Sequence, residues 1–515
     1  MDSGHLGVGM EILSNLMMGF SIACTPTNLF LCFVGAMAGT LVGILPGIGP
    51  SATIAMLIPI TFGMEPTGAL IMLSGIYYGA QYGGSTTAIL INVPGESGSI
   101  MTAVEGYQLA LQGRAGPALG MSAISSFIAG TASVVGLMLL APPLVEVALT
   151  FGPPEYFSLM LMGLMTLVFL AGKSMFKALL MGVFGLLLSA IGPDEMVGAT
   201  RFTYGQVELL PGIDFIVATM GLFAMAEVFL NAEQQLRIKV VKCPSRLSEL
   251  MPNLQDMRDS LGAFVRGTVI GFLIGVLPGA GTTIAAFLAY AAEVKCSKHP
   301  EKFGTGVIEG VAAPEGANNA ATAGAMVPMF TLGIPGSPAT AIMLGALLLW
   351  GIRPGPMLFQ QRPDLVWGVI ASMYIGNVML LVLNLPLVPL FASAMRVPYS
   401  LVGPLIVVFC IVGAYSLNTS VFDVVLLGIF GLLGYVMKKL DFPAAPVVLA
   451  MVLGPMVERS FRQSLTISHG DPTIFFTRPI SGILMAVTVL MLVTPLIRRF
   501  AAWRTKALEQ ADDSV

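Results

Sequence analysis

Charge is what this chain has least of. Only 10% of its 515 residues are Asp, Glu, Lys or Arg, against about 25% in ordinary soluble proteins. A soluble fold of this length could not cover its surface with so few charges, so a string of roughly three soluble domains is excluded. Histidine is nearly absent. His5, His299 and His469 all lie outside the apolar runs, which disfavours haem ligation and most metal or nucleophilic chemistry at membrane depth. Cys24, Cys32, Cys243, Cys296 and Cys410 show no paired spacing, so neither a disulfide framework nor a thiolate metal site is indicated. A net charge of −3 leaves no nucleic-acid footprint. No Gly-rich loop ends in Lys-Ser/Thr, so there is no P-loop. Met1–Met10 holds no Lys or Arg, so the charged start of a cleavable signal is missing and the first segments are expected to stay in the mature protein.

What the chain has instead is apolar: 56% hydrophobic residues, with 59 Gly, 33 Met and 29 Phe, and a mean hydropathy of +0.86. These are the proportions of a polytopic membrane protein. Spanning helices need about 20 apolar residues. Clear candidates are 117–142, 155–172, 175–192, 211–231, 364–394, 400–416, 420–437 and 479–497. The stretches 28–112 and 262–350 are equally apolar but interrupted. The first is cut at Leu45-Pro46-Gly47-Ile48-Gly49-Pro50, at Tyr82-Gly83-Gly84-Ser85 and at Asn92-Val93-Pro94-Gly95. The second is cut at Leu277-Pro278-Gly279-Ala280-Gly281 and at Gly333-Ile334-Pro335-Gly336. Residues 232–260, with Arg237, Lys239, Lys242, Arg246 and Arg258, read as a polar surface linker carrying short amphipathic helices.

The halves repeat each other. Gly43-Ile-Leu-Pro-Gly-Ile-Gly pairs with Gly275-Val-Leu-Pro-Gly-Ala-Gly, and Asn92-Val-Pro-Gly with Gly333-Ile-Pro-Gly. Arg114-Ala-Gly-Pro pairs with Arg353-Pro-Gly-Pro, and Gly182-Val-Phe-Gly-Leu-Leu with Gly428-Ile-Phe-Gly-Leu-Leu. Four matches in order, each about 240 residues apart, exceed chance even in a Gly-rich chain. Positive charge marks cytoplasmic loops. Lys173 and Lys177 precede the Gly182 helix, whereas Lys438 and Lys439 follow its counterpart. The positive side has swapped, as inverted topology requires. The expected fold is therefore an all-α polytopic membrane protein of two inverted structural repeats with Pro/Gly-broken, re-entrant or discontinuous helices and roughly 10–14 membrane segments. Its parts are a first transmembrane repeat over 1–231, a cytoplasmic linker over 232–260, a second repeat over 261–465, an extra helix over 479–497 and a cytoplasmic tail over 498–515. One loop disagrees: 458–478 would lie outside yet carries Arg459, Arg462 and Arg478.

Inverted repeats with breaks at matching positions are the pattern of secondary transporters. In hydrocarbon each unpaired backbone group costs several kcal/mol, so breaks persist only where buried or lining a cavity. Freed N–H groups then attract anions and freed carbonyls attract cations. This makes Pro46, Gly47, Gly49, Pro278, Gly279 and Gly281 candidates for contact with a solute, along with Ser51 and Thr282 just beyond them. The polar run Tyr78–Thr87 adds Ser85 and Thr86; the second pair of breaks adds Asn92, Pro94, Gly95, Pro335, Gly336 and Ser337. Glu315, Asn318 and Asn319 share one helix face. They either coordinate a solute or cation, or serve as interhelical hydrogen-bonding glue. A Na⁺ site from Glu315, Asn318, Gly47 and Gly279 is one reading. Intramembrane acids are functional by default, though Glu96 and Glu105 are expected at an aqueous rim. Arg114 and Arg353 are either anion attractors or interfacial anchors. The two Pro-Gly breaks are expected to lie close together near the bilayer midplane.

At these residues a family resemblance emerges. The run 43–59, Asn92-Val-Pro-Gly, Ala313-Pro-Glu-Gly-Ala-Asn-Asn-Ala, Leu332-Gly-Ile-Pro-Gly-Ser and Gly355-Pro356 resemble the large membrane subunit of the tripartite tricarboxylate transporters, the TctA family, from about residue 20 to about 500. The resemblance implies a non-enzymatic, multi-pass subunit of the bacterial inner membrane. A periplasmic solute-binding protein would deliver a di- or tricarboxylate, and a small four-span membrane subunit would sit beside the large one. A Na⁺ or H⁺ gradient would drive import by symport, with no other cofactor. A passive anion channel remains the alternative, since broken helices serve channels too. An intramembrane enzyme is a weaker one, for want of a catalytic constellation.

Overall fold

The computed structural model describes residues 2–45, 49–170, 174–194, 196–233, 241, 246–395, 397 and 399–494. Pro46, Gly47, Lys173, Arg237, Lys239, Lys242 and the tail 498–515 lie outside them. Helices dominate, and among the described residues the sheet structure is one two-residue pairing, Gly192–Pro193 with Thr200–Arg201. Among the described residues six helices are long and apolar enough to cross a membrane: Pro26–Ile44, Ala115–Ala148, Phe215–Glu233, Pro363–Asn384, Tyr399–Asn418 and Val421–Lys439. The protein is an all-α polytopic membrane protein.

The chain divides into two compact units, Met1–Leu149 with Ile213–Ala444, and Thr150–Gly212 with Ala445–Val515. The first is organised by close-packed helix pairs. In lipid no hydrophobic force drives helices together, so backbones must approach closely enough for dispersion to hold them. Pro26–Ile44 packs on Pro66–Ile91 through Gly35, Gly39 and Gly43, where an added Cβ would fall 2.3, 2.5 and 2.3 Å from the carbonyl oxygens of Met72, Ile76 and Ala80. In the second half Leu261–Val276 packs on Glu309–Leu332 the same way. There a Cβ on Gly267, Gly271 or Gly275 would fall 2.5, 2.3 or 2.6 Å from the carbonyl oxygens of Ala313, Ala317 and Ala321. Both sets of three keep the spacing of the sequence repeat, so the repeats share packing as well as motifs.

Local chemistry sets the ends of these helices. Glu65 accepts the Gly68 N–H at 3.1 Å and Pro66 opens the helix, an N-cap followed by a proline that needs no donor. The helix closes on Asn92 at φ 57°, and its counterpart Glu309–Leu332 closes on Gly333 at φ 70°; both are left-handed caps. The expected break at Tyr82–Ser85 does not occur. Pro66–Ile91 runs through it, because Gly83 and Gly84 are contact points: a Cβ on Gly83 would meet Thr40 O at 2.1 Å, and one on Gly84 would meet the Glu96 backbone N at 3.1 Å. The span expected over 364–394 ends at Asn384, ahead of Pro386, and Val388–Ala394 is a separate short helix. In the linker, Leu247–Leu250 and Leu254–Asp259 are short helices, the second opened by a capping box between Asn253 and Asp256. Leu250 is buried against Gly120.

In the second unit Ala445–Ile467 packs on Pro153–Leu170 and Met175–Ser189. A Cβ on Gly185 would lie 2.4 Å from the Val447 carbonyl oxygen, and Phe157, Phe461 and Phe475 cluster with centroids 4.6–5.6 Å apart. Arg462 meets Asp194 at 2.7 Å, Arg201 meets Glu458 at 2.7 Å and Arg478 meets Glu155 at 2.6 Å. Two of the three arginines that made loop 458–478 anomalous are thus matched by acids of the same unit.

Candidate functional site

In the first unit the breaks of the two halves meet. The Thr283 hydroxyl donates to Ser97 Oγ at 2.7 Å, and the Tyr77 hydroxyl donates to Ser337 Oγ at 2.9 Å. Both contacts join one half to the other. They have a reciprocal form: Gly281–Cys296 packs on Ser97–Ser99, and Gly49–Thr61 packs on Pro338–Leu349. Likewise Ala115–Ala148 packs on Glu309–Leu332, and Pro363–Asn384 on Pro66–Ile91. Such an exchange is what a two-fold relation between repeats produces.

Glycine makes the breaks. Gly49 and Gly281 stand at equivalent positions with φ 65° and 68°, and Gly279 has φ 79°, a region that L side chains avoid. Gly95 and Gly336 are also equivalent. A Cβ on Gly95 would fall 1.8 Å from Gly43 O; one on Gly336 would fall 2.6 Å from Ala325 Cα and 2.9 Å from Gly275 O. Each break is thereby folded back onto the glycine ridge of its own repeat. Ser337 opens Pro338–Leu349 with a capping box to Thr340. Pro278, Gly279, Thr282, Pro335 and Ser337 are buried, Ser51 and Pro94 are half-buried, and Asn92 is exposed. Asn92 supplies the left-handed turn that closes its helix. Pro46 and Gly47 lie outside the described residues.

Glu315 is wholly buried in a cage of hydroxyls. Ser85 donates to its carboxylate at 2.6 Å, Ser122 at 2.9 Å and Ser126 at 3.3 Å, and Thr102 donates to the other oxygen. These donors come from Pro66–Ile91, Ile100–Leu111 and Ala115–Ala148, so one second-half acid ties down three first-half helices. Asn319 donates to Ser126 Oγ at 2.8 Å and to Asn318 Oδ1 at 2.6 Å. Asn319 thus serves interhelical bonding through its Nδ2, while Asn319 Oδ1 and Asn318 Nδ2 have no hydrogen-bond partner. The cage does not include Gly279, and Thr86 bonds within its own helix to Tyr82 O at 3.4 Å.

Two acids depart from expectation. Glu96 is 7% exposed and Glu105 is 0% exposed, where an aqueous rim was expected. Glu105 accepts Tyr290 Oη at 2.7 Å and the backbone N–H groups of Gly304, Gly306 and Val307 at 2.5–2.9 Å. A second-half loop thus covers it. Glu96 is covered because Gly84 and Gly98 leave room for its side chain to lie inward. Its Oε1, and both amide atoms of Gln81, are buried without a hydrogen-bond partner. Gln81, Thr102, Ser122, Ser126 and Tyr77 are functional candidates that sequence reasoning did not single out. The signal for Gln81 was its place as the lone carboxamide between Pro66 and Ile91. Arg114 pairs with Asp256 at 2.8 Å to both carboxylate oxygens. Arg353 is exposed.

Long apolar helices, paired broken arms and a buried polar centre define a multi-pass membrane protein with a site built from both halves of its chain. Residues 29–449 match the Tripartite tricarboxylate transporter TctA family, and the chain belongs to that family, a subunit of a tricarboxylate transporter. It is similar to an Agrobacterium vitis protein, "Uncharacterized 52.8 kDa protein in TAR-I ttuC' 3'region", at 49% identity over 504 residues, covering 98% of this chain and 100% of that protein. A second Agrobacterium vitis protein, "Uncharacterized protein in TAR-II ttuC' 3'region", is 43% identical over 242 residues, covering 47% of this chain and 100% of that protein. No solved structure matches the chain.

Proposed function

We propose that this protein is the large translocating subunit of a binding-protein-dependent secondary transporter that imports a di- or tricarboxylate by Na⁺ or H⁺ symport across a bacterial inner membrane. A periplasmic solute-binding protein delivers the carboxylate, and a small four-span membrane subunit completes the complex. The observation that carries this reading is the meeting of the two halves through Thr283–Ser97 and Tyr77–Ser337 beside buried polar atoms that lack partners. The repeats are inverted about an axis in the membrane plane, with the linker and tail cytoplasmic. The solute is held by Gly49, Gly281, Thr282, Asn318 and Ser337, together with Pro46 and Gly47. Helix N-termini and hydroxyls meet most of its charge, because two basic residues near the breaks are engaged elsewhere: Arg266 with Glu293 at 2.6 Å and Arg114 with Asp256 at 2.8 Å. The test is uptake by proteoliposomes holding both membrane subunits, with the cognate binding protein outside and radiolabelled citrate or another di- or tricarboxylate as probe. Accumulation that needs the binding protein and an inward Na⁺ or H⁺ gradient is expected. Equilibration without either identifies a passive channel.

A further inference from the structure

Glu315 is the acid that the sequence singles out, but hydroxyl donors already surround its oxygens. Glu96, whose carboxyl meets the backbone N–H groups of Gly98 and Ser99, keeps its Oε1 without a hydrogen-bond partner. A Cβ built on Gly98 would lie 2.2 Å from Glu96 Oε1, 3.1 Å from Gln81 Oε1 and 3.2 Å from Thr282 Oγ1. Three oxygens of three chemical types, from the Pro66–Ile91 helix, the first-half break and the second-half break, thus converge on one point. Gln81 is 0% exposed and neither of its amide atoms has a partner; Glu96 Oε1 has none either. Buried polar groups that lack partners call for an explanation, an unseen ion among them.

We propose that Glu96, Gln81 and Thr282 form a binding site for a monovalent hard cation, Na⁺, in the space that Gly98 keeps free of a side chain. Carboxylate, amide and hydroxyl oxygens suit a hard cation and not a soft one. Among the described residues no three His, Cys, Asp or Glu stand together as a metal-ligand group. One carboxylate neutralises a monovalent ion, whereas a divalent ion would keep an unpaired charge in a buried setting. The N-terminal end of Gly281–Cys296 opposes a cation with about half a positive charge, which the full charge of Glu96 outweighs. Pseudo-symmetry supports the position. Ser337 and Tyr77 occupy the repeat places of Glu96 and Asn318. Ser337 and Tyr77 bond to each other directly, whereas Glu96 Oε1 and Asn318 Nδ2 have no hydrogen-bond partner. One of the two symmetry-related contacts between the halves is closed by a hydrogen bond; the other is kept as a cradle. Because Thr282 belongs to the opposite repeat, the ion would bridge the halves where the solute is proposed to bind.

The proposal rests on the symport reading and is tested apart from it, with no carboxylate and no partner subunit. The purified chain is titrated with ²²Na⁺ at constant ionic strength, choline replacing Na⁺. The wild type should bind Na⁺ saturably. Glu96→Gln, which keeps shape and removes charge, and Gly98→Ala, which fills the cradle, should each weaken binding by about tenfold or more, with melting curves in choline unchanged. The backbone of Gly98 does not have positive φ, so alanine is compatible with its conformation. Glu315→Gln should retain Na⁺ binding. The proposal is overturned if the wild type binds no Na⁺, if Glu96→Gln and Gly98→Ala bind it normally, or if Glu315→Gln alone abolishes binding. Proton uptake at Glu96 with no Na⁺ effect also overturns it. A complex that binds Na⁺ as described yet fails to transport in the proteoliposome assay would remove the function and leave the site.

Discussion

A single hydrogen at Gly95 keeps the first break folded against its repeat. Alanine there would place a carbon 1.8 Å from Gly43 O, and backbone cannot yield as a flexible side chain would. Gly95→Ala should destabilise the protein by about 1–3 kcal/mol, the range for overpacking. Gly63→Ala, with nothing within 4 Å of the new carbon, should stay within about ±0.5 kcal/mol. Thermal unfolding in one detergent compares them, and equal melting would show that the break is not held by this contact. The Glu315 cage makes a second prediction. Ser85→Ala and Ser122→Ala each remove a hydrogen bond to an acid that is 0% exposed, and each should cost about 1.5–3 kcal/mol. The double variant should depart from additivity, since both donors share Oε2. Additive losses would mean that the two hydroxyls act independently. Glu315 was visible in the sequence as an acid on one face with Asn318 and Asn319. Glu96 was misplaced at a rim because its neighbours Pro94, Gly95 and Ser97 look like a wet turn; its burial depends on Gly84 and Gly98, which a linear reading takes for flexibility.

Glycine accounts for the element-scale outcome as well. The ends at Asn92 and Gly333 were legible, since Pro two residues on stops the helix and the left-handed cap needs Gly or Asn. The supposed break at Tyr82–Ser85 was not one, because glycine both breaks helices and lets them touch. Gly75, Gly79 and Gly83, four residues apart, lie on one helix face, and that spacing was the available sign of contact. In the second unit the ion pairs near Asp194 were illegible, as their partners are far apart in sequence. The Arg462 guanidinium holds the Asp194 carboxyl at about 2, from an ordinary 3.8, assisted by the N–H groups of Met196 and Val197. A depressed folded-state value gives stability that is present above 3.8 and lost as pH falls through about 2. The melting temperature of the wild type should therefore exceed that of Asp194→Asn at neutral pH, with the gap closing between 3.8 and about 2. A gap that persists below that window would show that the Asp194 charge does not stabilise the fold.

Across the whole chain the scarcity of charge that marks a membrane protein also constrains its mechanism. The stretch 30–111 contains no Lys or Arg. Arg114 and Arg266 are each paired with an acid at 2.8 and 2.6 Å. Near the breaks this leaves Arg353 as an exposed basic side chain, one charge against the two or three of a di- or tricarboxylate, and helix N-termini supply only about half a charge each. Under the proposed function the remaining charge must come with the solute, as co-bound cations. Binding is then reciprocal: the factor by which cation raises solute affinity equals the factor by which solute raises cation affinity. Calorimetric titration of the membrane complex with citrate, or with the carboxylate of the cognate binding protein, should give affinities that rise by about tenfold or more between choline and Na⁺ buffers. ²²Na⁺ binding should tighten by the same factor when the carboxylate saturates. If H⁺ is the coupling ion, the same reciprocity appears between solute affinity and pH, with tighter binding at lower pH. Solute affinity indifferent to both Na⁺ and pH would mean that the anion is neutralised by a fixed positive charge, and that the electrostatic origin of coupling argued from this chain's composition is wrong.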